Sequence, residues 1–249
     1  MNIIVAFKVV PDDQDIQVSD DGSLDFSKAH QIVSTYDLNA IEAAARLADG
    51  GSVVAITAGT SAINDSKLKK NVLARGVDQL FMTADDACAD MDAHATAAAL
   101  AEIVAKAGTY DLILCGDGSA DNYAQQVDVQ LAAKLGLPVV NGVVKIVPGE
   151  GAVDVERVLE DVVETVRVPL PAVVSVSPDI ALPRIPGMKD ILAAGKKPMN
   201  IIGVEEACPA AIEVVECGAP EKVARKLDIL DTSDDGSIAQ FAAAIKAAL

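Results

Sequence analysis

Short β-branched runs alternate with longer Ala- and Leu-rich stretches through the first half of this chain, and that alternation admits few architectures. Strand-like runs fall at Ile3 to Val10, Ser52 to Thr57, Gln79 to Thr83 and Asp111 to Cys115. Apolar residues recur at helical spacing over Leu38 to Ala48, Ser61 to Ala74, Asp92 to Ala107 and Tyr123 to Leu135. Gly50, Gly76, Gly108 and Gly136 each stand just past one of these stretches, where a left-handed C-terminal cap needs no side chain. The rhythm predicts an α/β fold, a doubly wound, Rossmann-like parallel sheet. Composition agrees: 51% of residues are hydrophobic but only 3% aromatic, with no Trp, so the core must be aliphatic. Such cores suit parallel sheets covered by Ala-rich helices. One interruption, "DIQVSDDGSLDF", carries hairpin chemistry around Asp21-Gly22.

After Pro138 strands follow one another without helices: "VVNGVVKIVP", "GAVDVERVLE", "VETVRVPL" and "AVVSVSP". They predict an antiparallel extension of the same sheet. From Pro178 the period fades among prolines and returns as a helix only at Ile238 to Ala248. A stretch of that length without regular structure fits poorly inside a compact domain. It makes better sense as an arm lying on another subunit.

With 37 acidic against 20 basic side chains the net charge is −17, which repels nucleic-acid backbones and anionic lipid surfaces. The opening "MNIIVAFKVVPDD" reads as a first strand and not as a leader, and no uncharged apolar run reaches the ~18 residues needed to span a bilayer. The expected location is the cytoplasm, where Cys88, Cys115, Cys208 and Cys217, scattered and without a C-x-x-C pair, remain free thiols. No nucleophile elbow, P-loop or H-E-x-x-H occurs, and the two histidines, His30 and His94, give a His-dependent triad little material. No catalytic residue and no metal ligand is assigned.

The segment "DLILCGDGSADNYAQQ" runs from a buried strand through a small, flexible loop towards a helix. Amides at a helix start and its dipole favour a phosphate, and Gly116 and Gly118 permit close approach to the backbone. The same residues also suit a plain βα turn capped by Ser119, Asp121 or Asn122. Ala6 and Lys8, Ser34 to Asp37, and Thr57 to Thr60 end neighbouring strands or begin the first helix, and should converge on one crevice. "STYD" serves equally as a helix cap; both roles can share these residues.

At this point five ordered motifs become recognisable: "YDLNAIEAAARL", "VLARGVDQLFM", "DLILCGDGSADNYAQQV", "LEDVVETVRVPLPAVVSV" and "PRIPGMKDILAAGKKP". Together they resemble the β subunit of electron-transfer flavoproteins, most closely the FixA-like branch linked to anaerobic carnitine metabolism. The resemblance spans Met1 to Pro198, which implies a nucleotide-binding domain at 1–198 and leaves 199–249 as a C-terminal arm packing on the partner subunit. It implies an electron carrier and not an enzyme: a heterodimer with a FixB-like α subunit that holds FAD with this chain and accepts electrons from an acyl-CoA dehydrogenase-type flavoenzyme. It also implies an adenine nucleotide in this subunit, AMP in ordinary members or a second FAD in bifurcating ones, to which the "YDL" form at Tyr36 to Leu38 is more similar. Carried over motif by motif, the nucleotide site comprises Ala6, Ser34, Thr35, Tyr36, Asp37, Ala58, Gly116, Asp121, Asn122, Gln125, Gln126 and Val127. Met188 stands at the family's partner-docking anchor, with Lys189, Ile191 and Leu192 beside it; without the resemblance the segment reads as a short surface helix.

Two positions depart from the family pattern. The usual "G-K-Q" is Gly116-Asp117-Gly118, and the glycine commonly after "Q-V" is Asp128. A unit charge ~4 Å from a phosphate costs on the order of 4 kcal/mol at an effective dielectric of ~20, so the direction in which these carboxylates point matters. A second reading of the same fold is an adenine-nucleotide sensor without redox activity.

Overall fold

Strands that are aliphatic on both faces belong at the centre of a sheet, and this chain supplies several. The computed structural model describes residues 1–204, 208–220 and 227–248. In chain order its strands are Ile3–Ala6 (β1), Val9–Pro11 (β2), Gln17–Val18 (β3), Leu24–Asp25 (β4), Gln31–Val33 (β5), Val53–Gly59 (β6), Gln79–Ala84 (β7), Leu112–Gly116 (β8), Val139–Pro148 (β9), Ala152–Val158 (β10), Val163–Pro169 (β11), Ala172–Val176 (β12) and Met199–Ile201 (β13). Its helices are Thr35–Leu47 (α1), Ser66–Leu73 (α2), Ala93–Ala107 (α3), Val127–Leu135 (α4), Met188–Ala194 (α5) and Ser237–Ala248 (α6). The chain divides into two compact units, Met1–Gln17 with Asp25–Glu216, and Val18–Leu24 with Cys217–Leu249.

The first unit is built on a nine-stranded sheet in the order β11-β10-β9-β12-β8-β1-β6-β7-β13. From β9 to β13 neighbouring strands are parallel, and β10 and β11 continue it antiparallel. One face buries Ile3, Val5, Val53, Ala55, Leu112 and Leu114 against Ala40, Ile41 and Ala44 of α1 and Val72 and Leu73 of α2. The other buries Ile4, Ile56, Ile113 and Val173 against Leu100, Ile103 and Val104 of α3 and Leu131 and Ala132 of α4. The doubly wound α/β fold expected from the alternating periods is thus present.

Several boundaries differ from the periodic reading. The run Ile3 to Val10 is two strands, because the Lys8 amide leaves the ladder and donates to Asp37 Oδ2 at 2.7 Å. Ser61 to Ala74 is not one helix: Asp65 accepts from the amides of Lys67 and Leu68 and so caps a fresh start at Ser66. The fourth helix begins at Val127 and not at Tyr123, since Tyr123 and Gln125 have φ of +44° and +55°. β12 does not extend the antiparallel part but lies inside the parallel set, between β8 and β9. Beyond Pro178 the chain forms α5 and then β13, which pairs parallel with β7, so the sheet continues past residue 198.

The second unit holds the turn expected at Asp21-Gly22, with Gly22 at φ +85° and its carbonyl accepting from the Ala219 amide at 2.9 Å. It also holds α6, whose Ile238, Phe241 and Ile245 are exposed at helical spacing. Parts of the expected arm, at 205–207, 221–226 and 249, lie outside the described residues. Among the described residues no helix is long and apolar enough to cross a membrane.

Candidate functional site

Chain order runs from β1 outward through β6 and β7, then returns to place β8 on the opposite side of β1. Connections therefore diverge between β1 and β8, leaving a crevice beyond their carboxyl ends where ligands of open α/β sheets bind. Divergence also strips the strand ends of ladder partners. Asp37, in the first turn of α1, meets that need: one carboxylate oxygen accepts the Lys8 amide at 2.7 Å and the other the Gly116 amide at 3.3 Å. Its position near the start of the helix also suits its charge. Burial dominates its protonation, pushing its pKa up to about 7 against the pull of those two amides.

The loop after β8 closes over the crevice by several ties. The Ala120 amide donates to Ser34 Oγ at 3.2 Å. Ser34 stands at the N-cap of α1 as expected, yet its hydroxyl makes no cap bond and serves this loop instead. Lys8 Nζ pairs with Asp121 Oδ2 at 2.5 Å, and Ser119 donates to the other Asp121 oxygen. Burial acts to raise the pKa of Asp121, but the hydrogen bonds from Lys8 and Ser119 outweigh it and hold the group below the usual carboxylate range. The Tyr123 hydroxyl donates to Asp117 Oδ2 at 3.0 Å, and its ring lies 5.0 Å from that of Tyr36 in a tilted stack. Burial and Asp117 push the phenol up to about 12.

Glycine is required where this loop leaves the sheet. A Cβ on Gly116 would stand 2.6 Å from Asp37 Oδ1, and one on Gly118 would stand 2.3 Å from the ring of Tyr123. The two carboxylates that depart from the family pattern both turn inward. Asp128 is buried and accepts from Ser175 Oγ of β12, while Asp117 is only 7% exposed and is held by Tyr123. Asp117 Oδ1 nevertheless has no hydrogen-bond partner, and burial pushes the Asp117 carboxyl up.

Of the residues expected at the nucleotide site, Ser34, Asp37, Gly116 and Asp121 are joined by these contacts, while Ala6 ends β1 and pairs with Ile56 of β6. Tyr36 joins them through its stack on Tyr123. Ala58 is half-buried near the end of β6, the strand paired with β1. Thr35, Asn122, Gln125 and Gln126 are exposed, and Val127 opens α4. Both oxygens of Asp37 are taken by backbone amides, so it offers a ligand positioned backbone and not a free carboxylate. Sequence reasoning missed Tyr123, whose helix-like surroundings concealed its place in the loop.

The residues expected to dock a partner form a separate surface. Met188, Ile191 and Leu192 on α5 are 74%, 42% and 67% exposed, and Lys189 is exposed with them. Leu182 and Ile185 extend the apolar strip; an isoleucine between Pro183 and Pro186 that joins no periodic element was the available signal. A network pins the base of this strip to α1. Buried Glu42 accepts from Arg184 Nε at 2.6 Å and Arg46 Nε at 2.7 Å, and Asn39 donates to the carbonyls of Pro178 and Ala181. On the other side, Lys197 donates to the carbonyls of Leu73 and Val77 at 2.9 and 2.6 Å.

Residues 22–207 match the family model of the electron transfer flavoprotein domain, a span of well over half the chain.

Proposed function

Because the chain belongs to the electron transfer flavoprotein family, we propose that it is the β subunit of a heterodimeric electron carrier, paired with a FixB-like, flavin-bearing α subunit. The observation that carries this reading is the crevice at the β1–β8 switch point. There the expected residues Ser34, Asp37, Gly116 and Asp121 are linked by hydrogen bonds beside the end of β1 at Ala6, around a loop whose Gly116 and Gly118 pack against Asp37 and Tyr123.

The residues present fit an adenylate, either AMP or the adenylate end of a second FAD. Exposed Gln125 and Gln126 lead into the first turn of α4, whose amides suit a phosphate, and Lys8, paired with Asp121, lies beside the loop. The feared repulsion is reduced because Asp128 and Asp117 bond within the protein. FAD shared with the α subunit supplies the redox chemistry when bound. This chain binds the nucleotide, holds the loop through Ser34, Lys8 and Tyr36, and presents Met188, Lys189, Ile191 and Leu192 to an acyl-CoA dehydrogenase-type flavoenzyme. The part of the chain beyond β13 acts as an arm on the α subunit. The ordered motifs favour the FixA-like, carnitine-linked branch, in the cytoplasm.

Co-expression with the α subunit, followed by extraction of the bound nucleotide and its identification by mass, tests the proposal. A yellow complex that yields an adenylate and is reduced by an acyl-CoA dehydrogenase is the expected result. Colourless protein that binds only AMP or ATP would transfer the assignment to a sensor, and protein that never holds an adenylate would defeat both readings.

A further inference from the structure

Basic residues are scarce in this chain, and they concentrate in two segments that pack together. Residues 66–75 and 182–198 carry eight of its 20 basic side chains but one of its 37 acidic ones. The first segment contains α2 and the second α5, and the two helices are in contact. Lys197 Nζ ties them by donating to the carbonyls of Leu73 and Val77, and a methyl at Gly195 would stand 3.6 Å from Lys70 Cε. Lys67 lies one turn before Lys70 on the same helix face. On α5 Lys189 follows the exposed Met188 directly, and Lys196 stands four residues beyond the exposed Leu192.

Little of this charge is consumed within the protein. Among the described residues, Lys67, Lys70, Lys189 and Lys196 make no ion pair. Three carboxylates lie nearby. Asp65 feels the charge of Lys67 but bonds to the amides of Lys67 and Leu68, capping α2. Asp190 acts on Arg184 and accepts the Gly187 amide at 2.9 Å. Glu42 is buried beneath both Arg46 and Arg184, so that trio keeps a positive charge.

Uncompensated cations beside exposed apolar tips suit a partner that brings both opposite charge and an apolar pocket. The footprint decides what kind of partner that is. A bilayer or a nucleic acid runs on past the patch, over a chain whose net charge is −17, whereas carboxylates on a protein surface can match the patch alone. We propose that α2 and α5 form one docking surface, and that the redox partner it fits presents Asp and Glu side chains around an apolar pocket. This rests on the docking role of α5 proposed above, and extends it to α2 and to the charge of the partner.

The test measures electron exchange between the co-expressed complex and an acyl-CoA dehydrogenase by stopped flow, over salt from about 0.1 M to about 1 M. At the low end a screening length of about 10 Å already mutes charge elsewhere on the molecule, so contact charges dominate. The wild-type second-order rate constant should fall about tenfold across that range. Lys67→Glu combined with Lys189→Glu places both changes in first helical turns, where Glu suits the dipole. This double variant should be about tenfold slower than wild type at low salt and converge with it at high salt, which damage to the fold would not produce. Lys134→Glu on α4, across the sheet, should match wild type. A salt-independent wild-type rate, or a double variant as fast as wild type, overturns the inference, while a deficit in Met188→Glu alone would keep the docking role of α5. Sedimentation with phosphatidylcholine and phosphatidylserine vesicles that the double variant loses would assign the patch to a lipid surface and overturn it as well. No exchange at any salt removes the docking reading and this inference with it. Should the reversal fail to fold, Lys67→Gln with Lys189→Gln decides: a deficit at low salt that closes at high salt supports the inference, and no deficit overturns it.

Discussion

Asp37 offers a quantitative check on the physics of the switch point. In the unfolded chain its carboxyl titrates near 3.8, and in the fold burial moves it to about 7. The difference, about 3 units at ~1.36 kcal/mol each, amounts to about 4 kcal/mol. Because the folded state holds the proton more tightly, the contribution is fully present below pH 3.8 and is lost as the pH rises through 7. Replacing Asp37 with Asn removes the titration. The amide can accept from only one of the Lys8 and Gly116 amides, a fixed loss of about 1 kcal/mol that does not vary with pH. Urea denaturation of wild type and Asp37→Asn from pH 4 to pH 8 isolates the effect, since all other titrating groups are common to both proteins. Wild type should lose about 4 kcal/mol relative to the variant across that range. A difference that stays flat with pH would mean that Asp37 is ionised throughout, and that its two amide hydrogen bonds outweigh burial.

Three further outcomes follow from other contacts. Met188→Glu should slow electron exchange with the dehydrogenase and leave flavin and nucleotide content intact; unchanged exchange would remove Met188 from the docking surface. Glu42→Ala deletes charge-assisted hydrogen bonds to Arg184 and Arg46, and should cost about 2 kcal/mol in urea denaturation and quicken proteolysis near 182–187. Gly116→Ala forces a methyl to within 2.6 Å of Asp37 Oδ1 and should destabilise the fold by about 1 to 3 kcal/mol while lowering adenylate content, read by melting and by nucleotide extraction.

The parallel half of the sheet was legible because its strands and helices differ in period, and the four glycines past the expected helices all adopt positive φ. Order within the sheet was harder. Ala172–Val176 buries all five residues, the mark of a strand covered on both faces, yet its position after three consecutive strands suggested more of the same ribbon. Met199–Ile201 is too short to show a period, and it is a strand only because β7 offers it an edge. In "NYAQQ" local propensity favours helix, but the ties of Asp121 to Lys8, Ala120 to Ser34 and Tyr123 to Asp117 come from distant residues and hold two left-handed positions there. Of the residues named from the motifs, Ser34, Asp37, Gly116 and Asp121 are linked at the β1–β8 switch point; which carboxylates face inward depended on partners such as Ser175 that lie far away in the chain.

The way the strip from Leu182 to Leu192 is mounted affects how any partner would engage it. Its backbone is already immobilised through Asn39, Glu42 and Lys197, while the thioether and aliphatic tips stand in solvent. Association then freezes a few side-chain rotamers, at about 0.5 to 1.5 kcal/mol each, and orders no loop. An encounter of this kind reaches useful strength over a small footprint and still dissociates quickly, as the electron-carrier role proposed above would require.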